Sequence, residues 1–87
     1  MMWNYRVVEH DENLPQSNSY FAIHEVYYCT KTKKVKAYSE NHIAPMGDDL
    51  EDITKELKYM LEATKKPVLK MTELKEMFSS SKRKENG

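Results

Sequence analysis

Apolar and polar positions alternate in the first part of the chain and shift to helical spacing after residue 49. From residue 3 to 9, Trp3, Tyr5 and Val7 interleave with Asn4, Arg6 and Val8, a period of two that predicts a strand. Residues 10 to 18 are polar and contain Pro15, which predicts a loop. Residues 20 to 29 form the second predicted strand, apolar and aromatic on both alternating sides, and such a strand belongs in the middle of a sheet. The segment Thr30-Lys31-Thr32-Lys33 lacks the Gly or Asn of a two-residue turn, so a looser connection is expected. A third, weaker strand follows over residues 34 to 40, and its lysines suit an edge. Residues 41 to 47, with Pro45 and Gly47, lead out of the sheet.

The helix has the clearest signals. Asp49 can cap it with Asp52 three residues on, or Asp48 with Glu51, and either choice gathers carboxylates where the helix dipole favours them. Leu50, Ile53, Leu57, Met60 and Leu61 then recur as one apolar stripe, and Pro67 stops the continuation after Lys65 and Lys66. A short second helix over residues 72 to 78 would present Leu74, Met77 and Phe78, and the charged end from Ser79 onward reads as disordered. The expected fold is therefore α+β: a three-stranded antiparallel sheet in β-β-β-α order with one long helix on one face. Residues 1–71 make the single domain, and residues 72–87 make the short helix and a disordered basic tail.

Register decides which side chains share a face. Pairing Tyr28 with Val35 sets Val26 opposite Ala37 and His24 opposite Ser39, and a matching first hairpin sets Tyr5 opposite His24 and Val7 opposite Ala22. The helix would then cover Trp3, Tyr5, Val7, Tyr20, Ala22, Val26, Tyr28, Val35 and Ala37. The other face presents Val8, Phe21, Ile23, Tyr27 and Tyr38 among Arg6, Glu25 and Lys36. One helix cannot cover both faces, so unless the C-terminal segment folds back with Leu74, Met77 and Phe78, these eight residues are the expected surface for a protein partner or a second copy of the chain.

Composition limits what such a fold can do. Eighty-seven residues allow one domain, and a chain of this size buries only about 60 to 65% of its unfolded surface, leaving little room for a deep pocket. No apolar run approaches the roughly 18 residues of a membrane span, and the first residues lack a signal-peptide core. With the single Cys29, which reads as packed rather than reactive, this predicts a cytoplasmic protein without membrane contact. The net charge of zero conceals a segregation: residues 48–64 carry six acidic and two basic side chains, and residues 65–87 carry seven basic and three acidic. A solvated helix face and a polar tail account for it. Contact of Lys82-Arg83-Lys84 with nucleic acid is the sharper reading, but three basic residues beside Glu85 make a weak footprint for phosphate binding.

Candidate chemistry is sparse. His10, His24 and His42 have no ligand at i,i+2 or i,i+4, so no zinc site is supported locally. His24 and Glu25 are adjacent on a strand and point to opposite faces, so they cannot act as an acid–base pair. His24 is expected in the core, hydrogen-bonded to Tyr5 or Ser39. The carboxylates Asp48, Asp49 and Asp52 are explained by capping, and only Gly47 and Gly87 exist to make a phosphate-cradling loop. No cofactor and no enzymatic activity are expected. Phe21, Tyr27 and Tyr38 imitate a stacking platform for single-stranded nucleic acid without its usual basic surplus.

The segments Trp3-Asn4-Tyr5-Arg6-Val7, Phe21-Ala22-Ile23-His24-Glu25-Val26-Tyr27-Tyr28 and Ala44-Pro45-Met46-Gly47-Asp48-Asp49-Leu50-Glu51-Asp52-Ile53 resemble those of a group of short bacterial proteins of unknown function, over residues 3 to about 69. That group brings no activity with it. Three strands followed by a helix that opens on Leu50-Glu51-Asp52-Ile53 are also similar to the HicB-like antitoxin domain, a partial RNase H arrangement. This similarity implies toxin binding rather than hydrolysis. The chain departs from that domain in lacking a Pro-Asp-Leu-Pro-Gly-Cys type of segment before the third strand and an appended DNA-binding domain. A fourth strand after the helix would have to lie within residues 67 to 71.

Overall fold

The computed structural model describes residues 2–12 and 18–86, with side chains as far as residue 78. Its elements in chain order are β1 (Met2–His10), β2 (Tyr20–Tyr28), β3 (Val35–Tyr38), α1 (Leu50–Ala63), β4 (Leu69–Lys70) and α2 (Met71–Asn86). Most of the expected loop between the first two strands, residues 13–17, lies outside the described residues. The sheet order is β3-β2-β1-β4, so it has four strands rather than three. β1, β2 and β3 are antiparallel neighbours, while β4 runs parallel to β1. A parallel pairing needs a crossover, and α1 supplies it by carrying the chain from one edge of the sheet to the other.

The first hairpin is one residue out of step with the sequence reading. Tyr5 pairs with Glu25, Arg6 with His24, Val7 with Ile23 and Val8 with Ala22. A shift of one residue exchanges the face of every side chain relative to its neighbour strand. Trp3, Tyr5 and Val7 therefore share a face with Ile23, Glu25 and Tyr27, and Val8 shares the opposite face with Ala22, His24 and Val26. Both alternating sides of β2 are apolar, and Val7-Val8 offers an apolar residue to either side, so hydrophobic pattern alone does not discriminate the two registers.

In the second hairpin Tyr28 does meet Val35, but the ladder then shifts. Ala37 pairs with Tyr27 and Tyr38 with Val26, which leaves Lys36 as the extra residue of a bulge. The connection from Cys29 to Lys34 is closed by two backbone hydrogen bonds and holds Lys33 at a φ of 66°, the left-handed conformation that a glycine would have taken without strain.

Both faces of the sheet are covered. On one, Tyr5, Met60 and Ala63 are buried together, with Val7, Ile23 and Ile43 packed against them. On the other, α2 brings Met71 and Leu74 onto Val8, flanked by Val35, Tyr38 and Leu69. Val8, expected on an uncovered face, is in the core because α2 folds back over it.

α1 begins as expected, with the Asp49 side chain accepting from the backbone N–H of Asp52 at 2.8 Å. Its rotation differs from the expected stripe. Ile53, Glu56, Met60 and Ala63 face the sheet, whereas Leu50, Leu57 and Leu61 are exposed. The Tyr5 hydroxyl donates to the Glu56 carboxylate, which fixes this rotation. Gly47 lies against the first turn, where an added Cβ would stand 2.8 Å from the Cβ of Asp52, so any side chain would push the helix entry aside.

α2 also differs from expectation, since its backbone is helical to Asn86 where a disordered tail was predicted after Phe78. No Gly or Pro interrupts residues 71–86, and Lys, Arg and Glu are strong helix formers. Replacing Val8 by Ala should lower unfolding stability by about 2 kcal/mol through lost burial and the space left behind. Urea denaturation checks this, and a cost near zero would contradict the observed register.

Candidate interaction site

β1 is paired with β2 over its whole length, but on its other side β4 meets only Val8 and Glu9. Arg6 donates from its guanidinium to the carbonyl of Pro67 beside that edge. Among the described residues, no strand covers Met2 to Tyr5 on that side. These residues contain no lysine, proline or bulge. The opposite edge of the sheet is defended differently: β3 is four residues long, follows Lys34 and carries Lys36 at its bulge. Short edges, lysines and bulges are the usual devices that prevent strand addition, and β1 uses none of them here.

A cleft of about 460 Å³ runs beside this open stretch, lined by Trp3, Asn4 and Tyr5 from the strand and by Tyr59, Glu62 and Lys66 from α1 and the turn after it. Trp3 is 49% exposed and Tyr59 61% exposed, so two large aromatic side chains stand at the cleft with much of their surface in water. Trp3 is held edge-on to Tyr5, with ring centroids 5.2 Å apart and planes at 85°. Burial and the Glu56 carboxylate raise the Tyr5 pKa well above the ordinary phenol value, so its hydroxyl remains a donor to Glu56. A second, shallower opening of about 350 Å³, lined by residues including Gly47, Asp52, Lys55 and Glu56, meets the first at Tyr59.

The residues expected to form a partner surface do not form one patch. Phe21, Ile23, Glu25 and Tyr27 lie on the α1 side of the sheet, and Arg6, Val8 and Tyr38 on the α2 side. Phe21 is exposed, whereas Ile23 packs against the Tyr5 cluster and Val8 is fully buried. The Tyr27 hydroxyl donates to Glu25 at 2.6 Å, Arg6 donates to the Tyr28 hydroxyl at 3.0 Å, and Tyr38 packs on Phe78 at 5.6 Å. Phe21 and Tyr27 therefore share no stacking surface with Tyr38. Trp3 and Tyr59 were missed as surface residues. Tyr59 gave a signal, since it sits off the apolar stripe of α1, while Trp3 needed knowledge of which edge stays open.

A buried polar network lies on the α2 side. His24 is fully buried, and its Nδ1 lies 2.9 Å from the Ser39 carbonyl, one of the two partners expected for it. A carbonyl only accepts, so Nδ1 carries the proton and Nε2 is left as an acceptor. The Nε2 of His10 donates to it at 2.8 Å, and the His10 ring stacks on Tyr20 at 4.5 Å. Nδ1 of His10 stands 3.5 Å from Glu12, which in turn lies 3.5 Å from Lys75 of α2. Beside it, Asp11 accepts from the backbone N–H and hydroxyl of Thr72 at 3.1 and 3.0 Å, capping α2 from β1's end of the chain. The network thus ties α2 to the sheet. Among the described residues, no three His, Cys, Asp or Glu side chains stand together as metal ligands. Cys29 is half-buried, and hydrogen bonds from Thr32 and Lys31 lower its thiol pKa to about 7.

No known protein-family model, curated protein or solved structure matches the chain. No described helix is long and apolar enough to cross a membrane.

Burial, the largest cause, lowers the His24 pKa below the ordinary imidazole value. The Ser39 carbonyl opposes this shift, and neighbouring His10 and His42 add to it. Because the unfolded chain binds this proton more readily, stability from His24 is full above about pH 6.5 and is lost as pH falls below it. The lowered carboxylates Asp11 and Glu12 act in the same direction only below about pH 4. The urea midpoint should fall between pH 7 and pH 5, and His24→Gln should flatten that slope while lowering stability at pH 7. An unchanged midpoint across this range in the native sequence would refute the assignment.

Proposed function

We propose that this protein is a small non-enzymatic interaction module that accepts an extended segment of another chain on the open edge of β1. The observation that carries this reading is the unguarded stretch Met2 to Tyr5 beside a cleft with Trp3 and Tyr59 exposed. In strand addition, backbone hydrogen bonds supply affinity, and pockets for alternate side chains supply specificity. Trp3 and Tyr59 offer the apolar contact, while Glu62 and Lys66 offer one charge of each sign at the rim. The surplus of large exposed apolar residues supports the same reading: eleven are exposed among the described residues, against seven buried hydrophobic ones.

An antitoxin-like role is a special case in which the bound chain is a toxin. It gains support from β4, the strand after α1 that the resemblance requires. A nucleic-acid role has less support, because the aromatic residues that would stack bases are divided between the two faces. The lone cysteine favours a reducing compartment such as the cytoplasm.

Affinity capture from the native cytoplasm separates the edge from the sheet face. Trp3→Ser and Tyr59→Ser should each lose the specific partners captured by the native sequence, with unchanged circular dichroism. Phe21→Ser should keep them. Identical captures by all four proteins would rule out the β1 edge as the interaction site.

A further inference from the structure

We infer that the β1 edge pairs with the same edge of a second copy, antiparallel, about a two-fold axis perpendicular to the sheet at Asn4. This rests on the proposed reading of the β1 edge as an interaction surface and names its occupant. Three observations lead to it.

The first is geometric. A two-fold axis normal to a sheet joins equal edges antiparallel and keeps each face on its own side, so opposed residues must share parity. Centred on Asn4, the register sets Asn4 opposite Asn4 of the second copy, Trp3 opposite its Tyr5 and Met2 opposite its Arg6. Trp3 and Tyr5 share the α1 face, so each Trp3 meets the Tyr5 of the other copy on the side where Tyr59 lines the cleft. β4 stands beside Val8 and Glu9, and the Arg6 side chain reaches Pro67 just before it, so the overlap from Met2 to Arg6 ends where the chain leading into β4 begins.

The second is chemical. Aromatic groups opposed across a strand pair are favourable contacts. This register brings each half-exposed Trp3 to the strand position of the other copy's Tyr5, whose ring is buried against Met60 and Ala63, so that the contact falls on its rim beside the exposed Tyr59. Glu62 and Lys66 put an acid and a base on one cleft, a combination that a two-fold axis can match with itself. The net charge of zero removes overall repulsion between copies.

The third is the asymmetry of the two edges. β3 is short, bulged and lysine-bearing, and β1 is long and bare over Met2 to Tyr5. A chain that defends one edge and leaves the other open directs pairing to the open one. An isologous contact then closes at two copies and does not propagate.

Two measurements test this. Light scattering of the native protein across dilution should give twice the 10.3 kDa chain mass at high concentration, falling toward one chain mass on dilution. Trp3→Ser should raise the dissociation constant at least tenfold. Directly opposed strand residues also lie within disulfide reach. In a Cys29→Ser background, Asn4→Cys should therefore oxidise to a covalent dimer, while Lys36→Cys on the defended edge stays monomeric under the same oxidant. Equal cross-linking at both positions, or a native protein that stays monomeric at millimolar concentration, overturns the inference. If the monomer still captures partners that Trp3→Ser loses, the edge remains an interaction site and only the second copy is rejected. If it captures none, both fall.

Discussion

The pairing of Tyr5 with Glu25 is the constraint on which the rest of the molecule depends. It sets the parity of β1 against β2, and with it the face of every side chain on the two longest strands. With Tyr5 on the α1 side, its hydroxyl reaches Glu56 and its ring meets Met60 and Ala63. With Val8 on the opposite side, α2 has an apolar floor for Met71 and Leu74. A register shifted by one would put Tyr5 opposite His24 and would separate both helices from the residues they cover. The structure is thus a thin sheet between two helices, each held by a small cluster rather than by one continuous core.

Small clusters need polar ties, and the two helices use different ones. α1 is oriented by a single phenol-to-carboxylate hydrogen bond at its middle and capped by its own Asp49. α2 is tied at its start by Asp11 and through Glu12 to the His10 and His24 pair. The His24 side chain is fully buried and has a partner for each ring nitrogen, as a buried imidazole requires. Because its neutral form is the one the site accepts, the attachment of α2 weakens in acid.

The rotation of α1 also determines what is left for binding. By burying Met60 and Ala63, with Ile53 partly covered, the helix turns Leu50, Leu57 and Leu61 outward and sets Tyr59 toward the open end of β1. The crossover then delivers β4 only to Val8 and Glu9, so the first half of β1 keeps an edge that, among the described residues, no other strand reaches. Edge and cleft are therefore consequences of the same two features, the orientation of the helix and the shortness of β4.

Much of this was legible in the residues themselves. The strands around Tyr5, Tyr27 and Val35, the cap at Asp49, the stop before Pro67 and the partnership of His24 with Ser39 all follow from short-range chemistry or from period, which a single segment carries within itself. Three features could not be read that way. The parity of β1 against β2 is a comparison between distant segments, both of them apolar on two sides. The rotation of α1 depends on a hydrogen bond across fifty-one residues of chain. The coverage of the second face depends on α2 folding back over Val8. Local patterning determined the elements of this protein; only the tertiary structure decided which faces were buried and which edge stayed open, because those choices rest on contacts that no one segment contains.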